Sequence, residues 1–300
     1  MKDISASIHQ RLLNLGRKEK LDFNRLLNLY AHERLLARLS NSKYQKSFIL
    51  KGGLYLYSKF GQAARPTRDL DLLAYQLANE QKELLSLFKE ISKQDLNDGM
   101  RFDANTLTAT VIKEDANYEG TRIKLSAYLG NAKTRLQVDI GFGDAIHSAP
   151  KHIDYPTLLE LKGLDSPSLL AYNLETVIAE KFQAMTILGT SNSRAKDFYD
   201  ILLISQKQSF DAAVLSQTIY NTFTRRSSKL DDSWFLFTQE FASDKNMNTR
   251  WKQFCLKNPE LPAPDSFEIV MSLITAFLEP LLLEKEDRQW QTEHKTWLKQ

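Results

Sequence analysis

Residues that build disulfides and zinc sites are scarce in this sequence. Cys255 is the single cysteine among 300 residues, which excludes an internal disulfide and a cysteine-rich zinc site. The five histidines include no pair at the i, i+4 spacing of a helical zinc site. His147 and His152 are close in sequence, but Pro150 separates them, so we interpret them as surface or loop residues. The chain also lacks G-x-S-x-G and Walker-type motifs, which leaves acyl transfer and P-loop chemistry without support.

Long uninterrupted apolar runs are missing as well. Residues 1–15 are amphipathic and charged and lack the apolar run of a signal peptide. The most apolar stretch, 267–283, is interrupted by Glu268, Glu279 and Pro280, so we expect a buried helix there rather than a membrane span. These absences predict a cytoplasmic protein with no membrane contact.

The overall composition excludes little. Hydrophobic residues make up 42% and charged residues 26% of the chain, close to the globular average, so a packed core is expected. The length allows one large domain or two medium ones, at roughly 100–200 residues each. The net charge of +3 permits an anionic partner, yet recognition depends on where basic residues cluster.

Hydrophobic periodicity divides the chain into a mixed half and a helical half. Helices are predicted at 23–39, 54–60 and 79–91, strands at 47–50, 69–73, 105–113, 121–129 and 136–140, and a turn at 117–120. After Pro156 helical periods dominate, and we expect 284–300 to pack as a terminal helix. The sequence therefore predicts an α+β fold, with a mixed domain over 1–155 and a helical domain over 156–300.

Two aspartates in a strand-like run carry the first chemical signal. Asp69 and Asp71 stand two residues apart, so in a strand both side chains project from the same face. Paired carboxylates repel each other unless a cation lies between them, and magnesium prefers such ligands together with substrate phosphates. Asp139 is the best third ligand, because a carboxylate between Val138 and Ile140 is costly without a partner. Three carboxylates would complete a two-metal site, with ions roughly 3.5–4 Å apart.

An Asp-x-Asp pair alone usually marks a solvated strand face or a turn, so its context decides. Gly52 and Gly53 stand at a predicted strand-to-helix junction. Backbone N–H groups and a helix N-terminus at such a junction can bind a triphosphate. The order along the chain is glycine pair, helix, Asp69-x-Asp71, strands and Asp139. We interpret these features together as one site for phosphate and metal.

The motifs resemble those of a known family. The K-G-G motif at 51–53, followed by R-x-T-x-D-L-D at 65–71, resembles the AbiEii/AbiGii-type nucleotidyltransferases, the toxin halves of type IV toxin–antitoxin and abortive-infection systems. The similarity continues at 138–144, 179–184 and 194–200 and covers most of 20–205. The wider polymerase-β-like superfamily usually has Gly-Ser where this chain has a glycine pair. The resemblance implies a nucleotidyltransferase-type mixed sheet with flanking helices. It also implies that the following helical domain completes the nucleotide cleft and binds the acceptor.

The resemblance implies roles for individual residues. The implied ligands of Mg²⁺ or Mn²⁺ are Asp69, Asp71 and Asp139, and the implied ligands of the triphosphate are Gly52 and Gly53. Lys181 and Asp197 are implied as further catalytic residues. The residues implied to bind the nucleotide are Lys181, Arg194 and Lys196. Ordinary interpretations stay open for the later motifs. Lys181 fits a solvated lysine, the segment 194–197 fits a surface charge cluster, and Asp200 fits an acidic residue in the first turn of a helix.

Two further sets of residues have both a functional and an ordinary interpretation. Thr67 resembles a position that a cognate antitoxin kinase phosphorylates in some relatives, where the phosphate would repel the triphosphate; otherwise it is a loop threonine. Basic residues of the helical half are candidates for RNA binding, since an arginine beside an aromatic can bind phosphate and stack a base. Otherwise they form solvated helix faces. These residues are Arg225, Arg226, Lys229, Arg250 beside Trp251, and Lys252.

The function so implied is transfer of a nucleotide from a nucleoside triphosphate to an acceptor hydroxyl by two-metal catalysis. By resemblance, the acceptor is the 3′ end of tRNA, the product blocks translation, and a cognate antitoxin opposes the activity. Two alternatives stay open: nucleotidylation of a protein or small molecule, and a nucleotide- or RNA-binding module without catalysis. The third carboxylate argues against the last alternative, because a mere binder has no need of Asp139.

Overall fold

The computed structural model describes residues 4–115, 118–143, 149–161, 163–283 and 287–299. The chain divides into two compact units. The first unit consists of Met1–Ser58, Thr67–Asp144 and Pro150–Tyr172, and the second of Lys59–Pro66, Ala145–Ala149 and Asn173–Gln300. His147, interpreted from the sequence as a surface or loop residue, lies outside the described residues, as do Asn117 and Asp144. The predicted domain division between residues 155 and 156 stays a prediction.

The first unit combines helices with one large sheet. Its helices are α1 (Ile4–Glu19), α2 (Phe23–Ser40), α3 (Gly52–Phe60) and α4 (Gln81–Ser92). Its strands are β1 (Phe48–Lys51), β2 (Asp69–Ala74), β3 (Met100–Asp115), β4 (Tyr118–Leu129), β5 (Ala132–Gly141), β6 (Lys151–Asp154) and β7 (Ser168–Ala171). The central helix α2 begins after Asp22, whose carboxylate accepts a hydrogen bond from Arg25 N at 3.0 Å and so satisfies one of the unpaired N–H groups of the first turn.

The strands form a mixed sheet in the order β3-β4-β5-β2-β1-β7-β6. β2 and β5 run parallel, as do β1 and β7, and the other neighbours are antiparallel. The two strands that carry the predicted aspartates therefore lie side by side at the centre. The strand that leads into the glycine pair lies on the other side of β2. This arrangement confirms the predicted α+β class.

The central strands have one apolar face and one polar face. Alternate residues of β2, β4 and β5 are buried and apolar: Leu70, Leu72, Ile123, Leu125, Leu136, Val138 and Ile140. Helix α2 packs on β5, and Asn28 of α2 donates a hydrogen bond to Thr134 at 3.3 Å. Burial of this face under helices contributes about 25 cal/mol per Å² of apolar surface. The residues in between project from the opposite face, where the predicted aspartates lie.

Helix α2 also places ionisable residues in the core. Arg38 donates two hydrogen bonds to Asp98, at 2.6 and 3.0 Å. His32 is fully buried and donates from Nδ1 to Asn28 O at 3.0 Å. Burial lowers the pKa of His32 to about 4 and raises the pKa of Glu33 to about 7. These groups therefore stay neutral over part of the pH range in which they would ionise in water.

The second unit is mainly helical around an aromatic core. Its helices are α5 (Leu174–Leu188), α6 (Ala195–Lys207), α7 (Ala212–Arg225), α8 (Gln239–Ala242), α9 (Lys245–Lys257), α10 (Phe267–Leu278) and α11 (Pro280–Leu283). Phe198 lies against Phe241 and Phe267, with ring centroids 6.3 and 5.1 Å apart. None of the helices in the described ranges is long and apolar enough to cross a membrane. Residues 267–283 form two helices separated at Glu279 rather than the single buried helix predicted. One face is buried, whereas Ile269 and Leu283 are exposed.

Three further predictions of secondary structure are wrong. Residues 118–120 start β4 rather than forming a turn, and β7 adds a sheet strand after Pro156. The predicted terminal helix is a hairpin of β8 (Arg288–Gln291) and β9 (Thr296–Lys299). Its tryptophans, Trp290 and Trp297, are cross-strand partners and donate indole hydrogen bonds to Ser205 O at 2.6 Å and Phe277 O at 2.9 Å. A spacing of seven residues suits one helix face and also the two sides of a tight hairpin, so periodicity could not separate them.

Candidate functional site

The register of the two central strands brings the predicted aspartates to one face of the sheet. Asp71 on β2 is the direct partner of Asp139 on β5, and Asp69 is the partner of Gln137. Paired residues of neighbouring strands share a face, and so do residues two apart on one strand. Asp69, Asp71 and Asp139 therefore lie on the face opposite the apolar core, at the middle of the sheet.

An arginine on the next strand already engages Asp139. Arg122 of β4 is the antiparallel partner of Asp139. It donates from Nε and from one terminal nitrogen to the two carboxylate oxygens, at 2.8 Å each, and Gln137 adds a bond at 3.2 Å. The pKa of Arg122 is raised, first by its hydrogen bonds to Asp139 and also by the charges of Asp69 and Asp71. The guanidinium therefore acts as a counter-charge on the carboxylate face, chiefly for Asp139.

The first glycine of the pair is needed for the close approach of Asp71. Gly52 has φ of +70°, in the region that favours glycine, and an added Cβ would lie 1.9 Å from Asp71 Oδ2. The carboxylate thus packs directly on the backbone where β1 turns into α3. Lys51, the last residue of β1, is the cross-strand partner of Asp71 and is buried. The K-G-G motif therefore places a cation and a helix N-terminus beside the aspartates.

The second glycine makes room for Thr67. An added Cβ on Gly53 would lie 2.7 Å from the Cβ of Thr67 and 2.9 Å from its Oγ1. The hydroxyl donates to Asp69 O at 3.3 Å. The side chain of Thr67 therefore stands over the start of α3 and close to the first aspartate.

The later motifs form an ionic cluster in the second unit, which we call the lysine cluster: Lys181, Asp197, Asp200 and Arg65. Lys181 of α5 donates to Asp197 at 2.6 Å and lies 2.8 Å from Asp200. Arg65 donates from Nε to both oxygens of Asp200, at 3.1 and 3.2 Å. Burial alone would lower the pKa of Lys181, but the charges of Asp197 and Asp200 outweigh it and raise that pKa.

Two further basic residues flank this cluster. Arg194 precedes α6 and Lys196 lies in its first turn, where both are exposed. The pKa of Lys196 is lowered, first by partial loss of water around the amine and next by the charge of Arg65. The group of residues carries more positive than negative charge, which suits an anionic ligand.

The basic residues predicted to bind RNA in the second unit are partly committed to other contacts. Arg226 donates to Gln183 Oε1 at 3.0 Å, and Arg250 donates to Thr190 O at 2.6 Å and to Asn192 O at 3.0 Å. Trp251 is 1% exposed, so it cannot stack a base. Arg225, Lys229 and Lys252 complete the predicted set. Their role in RNA binding stays a prediction.

The carboxylate face has donors that suit a divalent cation, although they are not yet gathered around one point. Within the described residues, no three His, Cys, Asp or Glu side chains are grouped closely enough to hold a metal ion as they stand. The donor chemistry fits, because three carboxylates on one face are ligands that Mg²⁺ or Mn²⁺ prefers. A bound cation would replace Arg122 as the partner of the Asp139 carboxylate. The assignment of Asp69, Asp71 and Asp139 as metal ligands stays a prediction.

Sequence reasoning did not select Arg122, Lys51 or Arg65 as site residues. Arg122 stood in a predicted strand, but only the pairing of β4 with β5 places it opposite Asp139. Arg65 and Lys51 stood within their motifs without a role of their own. The signal that could have found them is that buried carboxylates need counter-charges: Lys51 and Arg122 lie beside the three aspartates, and Arg65 lies beside Asp200.

Comparisons with known proteins agree with the motifs. The profile of the family described as "Nucleotidyl transferase AbiEii toxin, Type IV TA system" matches residues 34–272, whereas no curated protein matches the chain. Two structures from Helicobacter pylori are similar. The first, a candidate nucleotidyltransferase, is 16% identical over 89% of this chain and 100% of its own, with a TM-score of 0.44. The second, JHP933, is 15% identical over 88% and 97%, with a TM-score of 0.43. The family profile spans most of the length of this chain, including the glycine pair, the three aspartates and Lys181. The chain therefore belongs to the AbiEii family of nucleotidyltransferase toxins.

Proposed function

We propose that this protein transfers a nucleotide from a nucleoside triphosphate to the 3′ end of tRNA in the cytoplasm and so blocks translation. The observation that carries the proposal is the register that aligns Asp71 with Asp139, beside the close approach of Asp71 to Gly52. Nucleotidyl transfer needs carboxylates at the reacting phosphorus and hydrogen-bond donors at the leaving phosphates. This face offers both within a few residues.

The proposed reaction is an in-line displacement at the α-phosphorus. The acceptor oxygen bonds to that phosphorus while the bond to the bridging oxygen of the β-phosphate breaks, so pyrophosphate leaves. The proton of the acceptor hydroxyl passes to Asp139, and the N–H groups at the start of α3 bind the leaving phosphates. Asp69, Asp71 and Asp139 would hold a divalent cation, which would neutralise the charge that develops at the phosphate.

The lysine cluster and its flanking residues have a proposed role in binding the nucleotide. Membership of the family supports this role for Lys181, Arg194, Lys196 and Asp197, and the excess of positive charge in the group suits a phosphate ligand. Lys181 and Asp197 already bond to each other at 2.6 Å. In the proposal, Asp197 therefore orients the lysine, while Arg194 and Lys196 add contacts to the phosphates.

Thr67 has a proposed regulatory role. A phosphate on its hydroxyl would lie at the start of α3, because the side chain already packs on Gly53. That position is the proposed binding site of the triphosphate, so the two phosphate groups would compete for the same N–H donors and would repel each other. A cognate antitoxin with kinase activity would then inhibit the enzyme by occupying its phosphate site.

A labelling experiment tests the proposed function. The protein is incubated with Mg²⁺ or Mn²⁺, each labelled triphosphate in turn, and total RNA with cell extract. Label in tRNA that is absent with Asp69→Asn supports the proposal. Label in a protein or a small molecule, and not in tRNA, would show that the acceptor is not tRNA. The absence of label with every triphosphate would favour a binding module without catalysis.

A growth experiment tests the link to toxicity. Expression of the wild-type chain is expected to arrest growth, and Asp71→Asn is expected to abolish the arrest at equal protein levels. Coexpression of the adjacent gene should restore growth if its product is the antitoxin. Equal arrest by both proteins would show that toxicity does not depend on the carboxylate face.

A further inference from the structure

We propose that a cavity beside Asp69 binds the phosphate backbone of a single-stranded RNA end, and so delivers the acceptor hydroxyl to the carboxylates. This inference rests on the proposed function and names the acceptor's site. The cavity has a volume of about 530 Å³ and lies wholly in the first unit. Four of its lining residues, the basic strip, are Arg68, Lys124, Lys133 and Arg135. Asp69 lines the same cavity.

The strand register makes the basic strip continuous with the carboxylate face. Residues 133, 135, 137 and 139 of β5 share one face, because they are two apart. Gln137 pairs with Asp69 on one side and with Lys124 on the other. The cavity thus begins at the pair Asp69 and Gln137, two residues along the strands from the pair Asp71 and Asp139. From Asp139 to Lys133 the face extends roughly 20 Å, at about 3.3 Å per residue.

The charges of the basic strip are not neutralised by nearby carboxylates. Arg68, Lys124 and Arg135 are exposed and form no salt bridge with any acid in the described parts of the chain, whereas Arg122 on the same face is paired with Asp139. Lys124 and Arg135 are diagonal neighbours on β4 and β5, a geometry that places side chains roughly 7–8 Å apart. Like charges at this spacing repel each other, and a polyanion that bridges them removes the repulsion.

The groups that line or border the cavity favour a nucleic acid over an acidic polypeptide. Tyr128 lies next to the cavity, as the cross-strand partner of the lining residue Lys133. The Arg101 guanidinium lies 4.4 Å and the Lys133 amine 5.5 Å from its ring centroid. An aromatic ring stacked with arginine is a typical platform for an unpaired base. Thr108 and Ser126 also line the cavity and offer hydroxyls to sugars and bases, whereas the Thr106 hydroxyl already donates to Asp103 O at 2.7 Å. Repeated phosphates with bases between them match this alternation of cations, hydroxyls and an aromatic ring.

The test measures binding of a short fluorescent single-stranded RNA to the full chain, without triphosphate, so that it does not depend on catalysis. Lys124→Ala with Arg135→Ala is expected to weaken binding about tenfold. It should also reduce the slope of log K against log salt by about 1.4, because each phosphate that a cation neutralises on a single strand adds about 0.7 to that slope. Lys124→Arg with Arg135→Lys should retain both affinity and slope. The KM for the triphosphate should not change in either variant.

The matched control is Lys82→Ala with Lys89→Ala, which removes the same charge from exposed positions of α4. This control should bind RNA as the wild type does, and melting temperatures verify the fold of each variant. Unchanged RNA affinity in the Lys124 and Arg135 variant would overturn the inference, even if labelling of RNA still supports the proposed function. Equal competition by polyglutamate and by RNA would also overturn it, because the cavity would then be selective for charge alone.

Discussion

The two ionic groups of this protein use the same kinds of side chain in opposite ways. In the lysine cluster, Lys181 is 14%, Asp197 6% and Asp200 0% exposed, and the charges neutralise one another. On the carboxylate face, Asp139 is 11% and its partner Arg122 33% exposed, so this ion pair is more accessible to solvent and ligands. A buried, paired cluster fixes structure, whereas an acid paired with an accessible cation can exchange it for another.

This contrast predicts that the carboxylate face governs activity with little effect on stability, whereas the lysine cluster contributes to stability as well as to nucleotide binding. Asp71→Asn is expected to lower the rate of nucleotide transfer on the order of 10⁴-fold, the scale seen when a group at the reacting atoms is removed. Its melting temperature should stay close to that of the wild type, because removal of one acid relieves repulsion on this face. Transfer rates at saturating cation, together with thermal melts, check both parts. A large loss of stability would place Asp71 with the structural residues.

Lys181→Met is expected to have the next largest effect, this time on folding. It leaves Asp197 buried without its main partner, which costs about 3–5 kcal/mol when a buried pair is broken on one side. The free energy of unfolding, from urea titration, measures the loss. Lys181→Met combined with Asp197→Asn is the matched control and should recover much of the stability, since Asp200 keeps Arg65. Wild-type stability in the single variant would mean that the cluster is not structural.

The same contrast explains what the sequence could and could not predict. Asp139 was recognisable because an acid between Val138 and Ile140 contradicts the apolar character of its strand. Arg122 was not, since its pairing depends on the register of β4 against β5, which local periodicity does not encode. The hairpin of β8 and β9 was missed because the segment between Trp290 and Trp297 is polar and charged and contains no Gly or Asn, the residues that usually signal a hairpin turn.

Buried ionisable groups under the sheet are expected to govern the dependence of stability on pH. The pKa of His32 falls from 6.5 to about 4 in the folded chain. Between pH 6.5 and pH 4, His32 is therefore protonated in the unfolded chain but neutral in the folded chain. Its contribution to stability is fully present above pH 6.5 and is lost as the pH falls towards 4. The loss is up to about 3 kcal/mol. Urea titrations of the Glu33→Gln variant from pH 4 to pH 7 measure it, because Glu33 has an opposing effect on stability in the same range.

Two variants separate this effect from that of its neighbour on α2. His32→Gln should remove the loss of stability at low pH. Glu33, whose pKa rises from 4.5 to about 7, has the opposite sign: its contribution is present below pH 4.5 and is lost as the pH rises towards 7. The two windows overlap, so the contributions of His32 and Glu33 oppose each other between pH 4.5 and pH 6.5. Glu33→Gln should therefore steepen the loss of stability as the pH falls. An unchanged slope between pH 4 and pH 6.5 in His32→Gln would show that other groups cause it.

The smallest expected effect concerns Arg122, which combines the two kinds of behaviour. Arg122 is paired like a member of the lysine cluster, yet a cation must displace it from Asp139 if the carboxylates are to bind metal. Arg122→Gln should therefore lower the Mg²⁺ concentration needed for half-maximal transfer about tenfold, equivalent to about 1.4 kcal/mol. Calorimetric titration of the protein with Mn²⁺, without nucleotide, should show the same shift independently of activity. Arg122→Lys, which keeps the charge but loses the double hydrogen bond, should fall between. A higher Mg²⁺ requirement in Arg122→Gln would contradict this prediction, because it would mean that the arginine holds Asp139 in position for the metal. The ion pair of Arg122 and Asp139 would then have a structural role, like the ion pairs of the lysine cluster.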